Sequence, residues 1–129
     1  MSVEAALGWL WKLLSLARAV RVHCHIGHLT HQDIDCYFVR VINGSPFRRA
    51  VVTEVWFEAG VRIPVINSER PLQKVLLPDD IWETWIPVSA LPGHVREQAP
   101  HLARVKLSDG TIISSRPTPD VSPAGFVAG

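Results

Sequence analysis

The sequence predicts a mainly β protein, an antiparallel β-sandwich of about seven strands preceded by one N-terminal α-helix. Three observations lead to this fold class. After the first segment, short apolar stretches alternate with turn residues, and no helical stretch of about 10–15 residues separates them. Ten prolines and eight glycines among 129 residues indicate many turns. Apolar residues make up 47% of the chain, which is enough for a buried core.

The first element in order is a helix over residues 1–19. Its small or polar residues recur every three or four positions and form one narrow stripe. The rest of its surface is apolar and includes Trp9, Trp11 and Leu14. Because such a helix must be covered around most of its circumference, we expect it to contact its own domain, another chain or a lipid surface.

The same segment is not expected to be a signal peptide or a membrane anchor. Glu4 stands where a signal peptide carries positive charge, and Lys12 and Arg18 interrupt the apolar run before about 20 residues accumulate. Membrane association is therefore disfavoured. Cys24 and Cys36 are too few for a disulfide scaffold, which fits a reducing compartment. The sequence predicts a cytoplasmic protein.

The predicted sandwich domain occupies residues 20–116. In its first strand, apolar residues from Val20 to Ile26 alternate with polar ones, which predicts one buried face. Turn signals, among them Asn-Gly-Ser-Pro at 43–46 and Asp-Gly at 109–110, separate the later strands. A flexible tail is expected over residues 117–129, where proline and glycine occur without periodicity. The remaining strands are expected at about 34–42, 50–58, 61–66, 81–88, 101–107 and 111–115.

The segments Ile42–Pro46 and Arg49–Val55 resemble a loose group of small bacterial proteins. The later stretch Leu77–Pro87 is similar to the same group. These proteins look like immunoglobulin-like β-sandwiches with an apolar N-terminal helix, and their function is uncharacterised. The resemblance covers roughly residues 1–115 and implies an immunoglobulin-like fold. Its motifs are turns and core positions, so it implies no functional residue.

Several predicted strands are apolar on both faces, which a freely solvated sheet does not require. On the third strand, Trp56 is expected to point outward beside Glu54 and Glu58. Trp82 and Trp85 are expected on opposite faces of one strand. Tryptophan is favoured at interface hot spots, although an ordinary core position is the competing interpretation for each of them.

These features predict a non-enzymatic protein-interaction module. The partner is expected to be another protein or a second copy of the chain, bound through the helix and the outward aromatic residues. A formal net charge of +1 and scattered basic residues predict no nucleic-acid partner. The sequence holds no phosphate loop and no nucleophile elbow, so we expect neither a catalytic residue nor a cofactor. The predicted partner-binding residues are Trp9, Trp11, Leu14 and Trp56.

A cluster of four histidines indicates an alternative function, a metal-binding module. His23 and His25 share one face of the first strand, and His28 or His31 from the following turn can supply a third imidazole to zinc or copper. No Cys-x-x-Cys or His-Glu-x-x-His motif accompanies them. Solvated surface histidines are the competing interpretation.

Overall fold

The computed structural model describes residues 19–118. Within this range the protein is mainly β, as the sequence predicts, with two 3₁₀ helices at Val88–Ala90 and Gly93–His101. The described strands are β1 (Val20–Leu29), β2 (Ile34–Asn43), β3 (Ala50–Glu58), β4 (Arg62–Pro64), β5 (Lys74–Leu76), β6 (Ile81–Pro87), β7 (Ala103–Leu107), β8 (Ile112–Ser114) and β9 (Arg116–Pro117).

The strands form two sheets. The first sheet has the order β6-β2-β1-β9, and the second has the order β4-β3-β7-β8, with β5 also paired to β3. The pairing is antiparallel except between β1 and β9, which run parallel. The short β4 and β5 pair with opposite ends of β3, so a long loop must connect them.

The inner faces of the two sheets share one hydrophobic core. Val39 and Val41 of β2 and Phe57 of β3 are fully buried in the same cluster. The Tyr37 ring lies 6.2 Å from the Phe57 ring, centroid to centroid, and so joins the two sheets. Its hydroxyl donates a 3.0 Å hydrogen bond to the Arg96 carbonyl and holds the longer 3₁₀ helix against the first sheet. Burial of these apolar faces provides the main driving force for the fold.

The alternation predicted for β1 holds only in its first part. Val20, Val22 and Cys24 are buried, but Ile26 is exposed. The next cross-strand pair on the same face, His28 and Asp35, is exposed as well. The cross-strand partner of Ile26, Tyr37, is still buried in the core, so the shared core ends at this pair and the rest of the β1–β2 hairpin projects beyond it. The prediction that Ile26 is buried was wrong for this reason.

Several strands differ from the sequence prediction in their bounds or were not predicted. The strand expected from residue 101 begins at Ala103, because the 3₁₀ helix extends through His101. Lys74–Leu76 pairs with β3 although no strand was predicted there. Pro117, assigned to the flexible tail, belongs to β9, which pairs with β1 at His23 and Cys24. The predicted helix over residues 1–19 and the tail from residue 119 lie outside the described residues, apart from Ala19.

The side chain of Asn43 holds three segments together at one end of the fold. Asn43 is fully buried at the end of β2. Its Nδ2 donates to the carbonyls of Arg48, Leu76 and Leu77 at 2.8, 3.1 and 3.2 Å. Its Oδ1 accepts a hydrogen bond from the Ser45 amide at 3.1 Å. One side chain thus satisfies buried backbone groups from the β2–β3 turn and from the end of β5.

The backbone around Asn43 adds a second set of bonds. The Asn43 amide donates to the Asp80 carbonyl at 2.9 Å, and the Asn43 carbonyl accepts from the Asp79 amide at 2.8 Å. The next residue, Gly44, donates its amide to the Ala19 carbonyl at 2.7 Å. A Cβ at Gly44 would lie 2.9 Å from that same oxygen, so the close approach of the two backbones requires glycine. The loop before β6 and the start of β1 are therefore fastened here too.

We expect Asn43→Ala to lower the free energy of unfolding by about 2–4 kcal/mol, because it leaves several buried backbone groups without partners. Urea unfolding followed by tryptophan fluorescence measures this. Asn67→Ala is the matched control, since the Asn67 side chain accepts one hydrogen bond from the Glu69 amide in an exposed turn. We expect the control to cost about 1 kcal/mol or less. Equal losses in the two variants would contradict the role assigned to Asn43.

Candidate functional site

The four histidines of the predicted metal site are spread over the β1–β2 hairpin. His23 and His25 share the outer face of β1, as the alternation predicts. His28 lies on the opposite face of the strand, and His31 lies in the turn that follows it. Among residues 19–118, no group of three or more His, Cys, Asp or Glu side chains is arranged to hold a metal ion. The structure therefore does not bring a third imidazole to His23 and His25.

His28 is held between two carboxylates at the exposed end of the hairpin. Its Nδ1 lies 2.9 Å from Asp35 Oδ1, and its Nε2 lies 3.0 Å from Asp33 Oδ1. Both bonds favour the imidazolium and therefore raise the pKa of His28 above its ordinary value. The hydrogen bond to Asp35 has the larger effect and the one to Asp33 the smaller. Asp33 has a φ of 53°, a left-handed conformation that aspartate tolerates better than most residues.

An aromatic row crosses the outer face of the first sheet and consists of His25, Phe38 and Trp85. The three residues are direct cross-strand neighbours on β1, β2 and β6. The rings of His25 and Phe38 stack with centroids 5.4 Å apart, and those of Phe38 and Trp85 are 6.0 Å apart. Gly27 makes room for this packing, because a Cβ there would lie 2.9 Å from the Phe38 ring.

The loop between β4 and β5 covers one end of the aromatic row. The Arg70 guanidinium lies 4.8 Å from the centroid of the Trp85 ring. Its Nε donates a 3.0 Å hydrogen bond to the Glu83 carbonyl on β6, the edge strand of the first sheet. Glu69 of the same loop lies 3.4 Å from His31 and accepts a 3.0 Å hydrogen bond from Gln32. The loop thus protects a sheet edge and leaves Trp85 buried.

A polar row lies beside the aromatic row and consists of His23, Arg40 and Glu83, again direct cross-strand neighbours. Arg40 Nε lies 3.4 Å from Glu83 Oε2. Burial lowers the pKa of His25, while the charge of Glu83 acts in the opposite direction and that of Arg40 adds to the lowering. His25 Nδ1 also lies 3.1 Å from the Thr118 hydroxyl.

Trp56 points outward from the second sheet, as the sequence predicts, but little of it is accessible. Its Nε1 donates a 2.9 Å hydrogen bond to Glu58, and the Arg62 guanidinium lies 4.0 Å from the ring centroid. Arg62 is in turn within ion-pair distance of Glu54, at 3.7 Å. The tryptophan is only 2% exposed. The other predicted partner-binding residues, Trp9, Trp11 and Leu14, lie outside the described residues.

Cys24 and Cys36 are both buried and unbridged. They lie on opposite faces of the first sheet, because Cys24 packs in the shared core and Cys36 packs under Phe38 and Trp85 on the outer face. Burial raises the pKa of Cys24 to about 12 and also raises the pKa of Cys36. Neither thiol is activated as a nucleophile.

Exposed apolar side chains collect at the end of the fold that Asn43 holds together. Phe47, Leu77 and Ile81 are 88%, 57% and 63% exposed. They come from the β2–β3 turn, the β5–β6 loop and the first residue of β6, three segments that meet around Asn43. We call these three residues the apolar end patch. The sequence pattern did not predict this patch. An apolar residue within a turn, Phe47 after Ser-Pro, could have indicated an exposed apolar side chain.

Two further features belong to the same end. Arg48 and Arg49 are exposed beside Phe47, and Asp79 and Asp80 lie between Leu77 and Ile81 in the chain. Residues 1–18 enter the described fold here, since the Ala19 carbonyl accepts its hydrogen bond from the neighbouring turn. The end therefore combines apolar surface with charges of both signs.

In comparisons with known proteins, the chain matches no family model, no curated protein and no solved structure. The candidate sites therefore rest on the geometry of the chain itself. No helix among residues 19–118 has the length and apolar character needed to cross a lipid bilayer.

We expect an NMR titration of the full chain to place the pKa of His28 above its ordinary value. Asp35→Asn should lower that pKa more than Asp33→Asn, because the bond to Asp35 is the larger cause. Since the folded-state pKa is the higher one, the contacts stabilise the fold below the pKa of the unfolded chain. That contribution is lost as pH rises through the folded-state pKa. Asp109→Asn, an exposed turn aspartate on the β7–β8 connection, is the control and should leave the His28 pKa unchanged.

Proposed function

We propose that this protein is a non-enzymatic, self-associating interaction module with an immunoglobulin-like β-sandwich fold. Its docking surface is the apolar end patch of Phe47, Leu77 and Ile81, together with the residues 1–18 that enter at the same end. The partner is a second copy of the chain. The observation that carries the proposal is the exposure of three large apolar side chains around one rigidly bonded end.

The strand distribution supports the immunoglobulin-like part of the proposal. With β5 and β9 set aside, seven strands remain. The first, second and fifth of them lie in one sheet, and the third, fourth, sixth and seventh lie in the other. Constant-type immunoglobulin domains place the first, second, fourth and fifth strands in one sheet and the third, sixth and seventh in the other, so this chain differs from them only at the fourth strand. This agrees with the resemblance of the chain to small bacterial sandwich proteins, to which we also propose that it is related.

The backbone beside the apolar end patch is held in place by hydrogen bonds, which suits the patch to docking. Asn43 bonds directly to the backbone of Arg48 and Leu77, which are next to or part of the patch. A surface that is already ordered loses less conformational entropy when it binds. The aromatic residues on the two outer faces, Trp56 and Trp85, are covered by arginines of this chain and offer less apolar surface.

Charge favours a second copy over an unrelated partner. The end carries the cations of Arg48 and Arg49 and the anions of Asp79 and Asp80. A two-fold contact places the same surface on both sides, so each copy can present its arginines to the aspartates of the other. The net charge of +1 gives little repulsion between copies. We propose a cytoplasmic location, which two buried and unbridged cysteines suit, and no nucleic-acid partner.

The proposal is tested by the oligomeric state of the full chain, measured by sedimentation equilibrium over a range of concentrations. We expect a dimer, and we expect Phe47→Ser and Ile81→Ser to weaken it about tenfold or more, because each removes a large apolar contact. Trp9→Ser and Trp11→Ser should also weaken it, because the proposed docking surface includes residues 1–18.

Ile66→Ser and Val61→Ser are matched controls. These residues are 86% and 65% exposed, which is close to the values for Phe47 and Ile81, and Val61 lies in the β3–β4 turn at the other end of β3. Neither control should change the dimer. A full chain that stays monomeric, or controls that weaken association as much as the patch variants, would overturn the proposal.

A further inference from the structure

A pocket of about 370 Å³ lies where β1 of the first sheet meets β8 of the second. Its apolar wall is formed by Val20, Val22 and Ile113. The polar side chains that line it belong to Arg21, His23, Ser114 and Arg116.

The pocket is lined by basic groups, and no carboxylate belongs to its described lining. Its polar residues are Arg21 and His23 of β1, Ser114 of β8 and Arg116 of β9. Two other depressions on the described surface differ in this respect, since each mixes acids with bases. One contains Asp35 with Arg96, and the other contains Glu69 and Glu83 with Arg70 and Lys74.

The strand edge beside the pocket is open. β9 pairs with β1 only at His23 and Cys24, so the preceding residues Val20–Val22 have no neighbouring strand on that side among residues 19–118. An edge of this kind presents unpaired backbone amides and carbonyls. Amide groups at an unpaired edge can add hydrogen bonds to an anion that the side chains attract.

His23, one of the residues that line the pocket, has a ring nitrogen that is unpaired within residues 19–118. Its Nδ1 is buried and has no hydrogen-bond partner among the described residues. Buried polar atoms in folded proteins nearly always have a partner, in the protein or in a bound group. The cross-strand neighbour Arg40 does not bond to this nitrogen. Its Nε lies 3.4 Å from Glu83 Oε2 instead.

From these features we infer that the pocket binds a phosphate group, either free or carried by a small molecule. Arg21 and Arg116 provide planar, multiply bonding donors, which match the oxygens of a phosphate. A dianion balances two guanidinium charges, whereas a single carboxylate balances one. The volume exceeds that of one phosphate and leaves room for the body of a small ester, so an ester should bind more tightly than the free ion. The pocket adjoins the end held by Asn43, because Val20 pairs with Asn43, but it shares no residue with the apolar end patch, and phosphate binding does not require self-association.

The test is a titration of the full-length protein at constant pH and ionic strength, followed by ¹H–¹⁵N NMR. The probes are inorganic phosphate, glycerol 3-phosphate and acetate. We expect saturable shifts at Arg21, His23, Ser114 and Arg116 with the two phosphates. Acetate should bind about tenfold more weakly or not at all, because it forms fewer charge-assisted hydrogen bonds. Tighter binding of the ester identifies a phosphorylated small molecule as the ligand, and equal binding identifies free phosphate.

Arg21→Gln and Arg116→Gln should each weaken phosphate binding about tenfold, since each removes one charged donor. Both side chains are on exposed residues, and an unchanged unfolding temperature confirms that the fold is kept. Lys74→Gln removes the same charge from β5, at the opposite edge of the second sheet, and should leave binding unchanged. Absence of saturable shifts with either phosphate, or equal weakening by Lys74→Gln, would overturn the inference.

Discussion

The described fold depends on the burial of one asparagine. Asn43 lies at the end of β2, where the chain leaves the first sheet to start the second, and its amide bonds to both connections that meet there. Its own backbone joins the loop before β6, and its neighbour Gly44 joins the start of β1. Since buried backbone groups must find partners, removing this side chain leaves groups of the β2–β3 turn and of the end of β5 without partners at once. Apolar burial brings the two sheets together, and Asn43 determines how one end closes.

The closure at Asn43 has a consequence for binding. Arginines cover the outward tryptophans on both sheets, with Arg62 over Trp56 and Arg70 near Trp85, so the outer faces present little apolar surface. The end held by Asn43 is the opposite case, because hydrogen bonds between backbones order it while its side chains stay exposed. A surface with an ordered backbone and exposed apolar side chains is suited to docking, because it loses less conformational entropy when it binds. The basic pocket beside β1 arises differently, from a short β9 that leaves a strand edge open.

Local signals in the sequence predicted the long strands well. The bounds predicted for β3 match the structure, because β-branched residues run between two turn signals. The shorter β5 and β9 were missed, since three and two residues have no periodicity of their own and become strands only by pairing with distant ones. Among site residues, alternation correctly placed His23 and His25 on one face. The position of His28 beside Asp33 and Asp35 depends on the turn geometry, which alternation does not encode.

The sequence by itself determined the mainly β class, the long strands and the outward direction of Trp56, because these follow from the two-residue period of a strand and from local turn residues. Only the tertiary structure decided which outward residues stay accessible. Trp56 is covered by Arg62, six positions along the chain, and Trp85 by Arg70 from a loop between two strands of the other sheet. Phe47 lies in the β2–β3 turn, and no other segment among residues 19–118 covers its side chain. Accessibility depends on how separate segments pack against each other, and the two-residue period of a strand does not carry it.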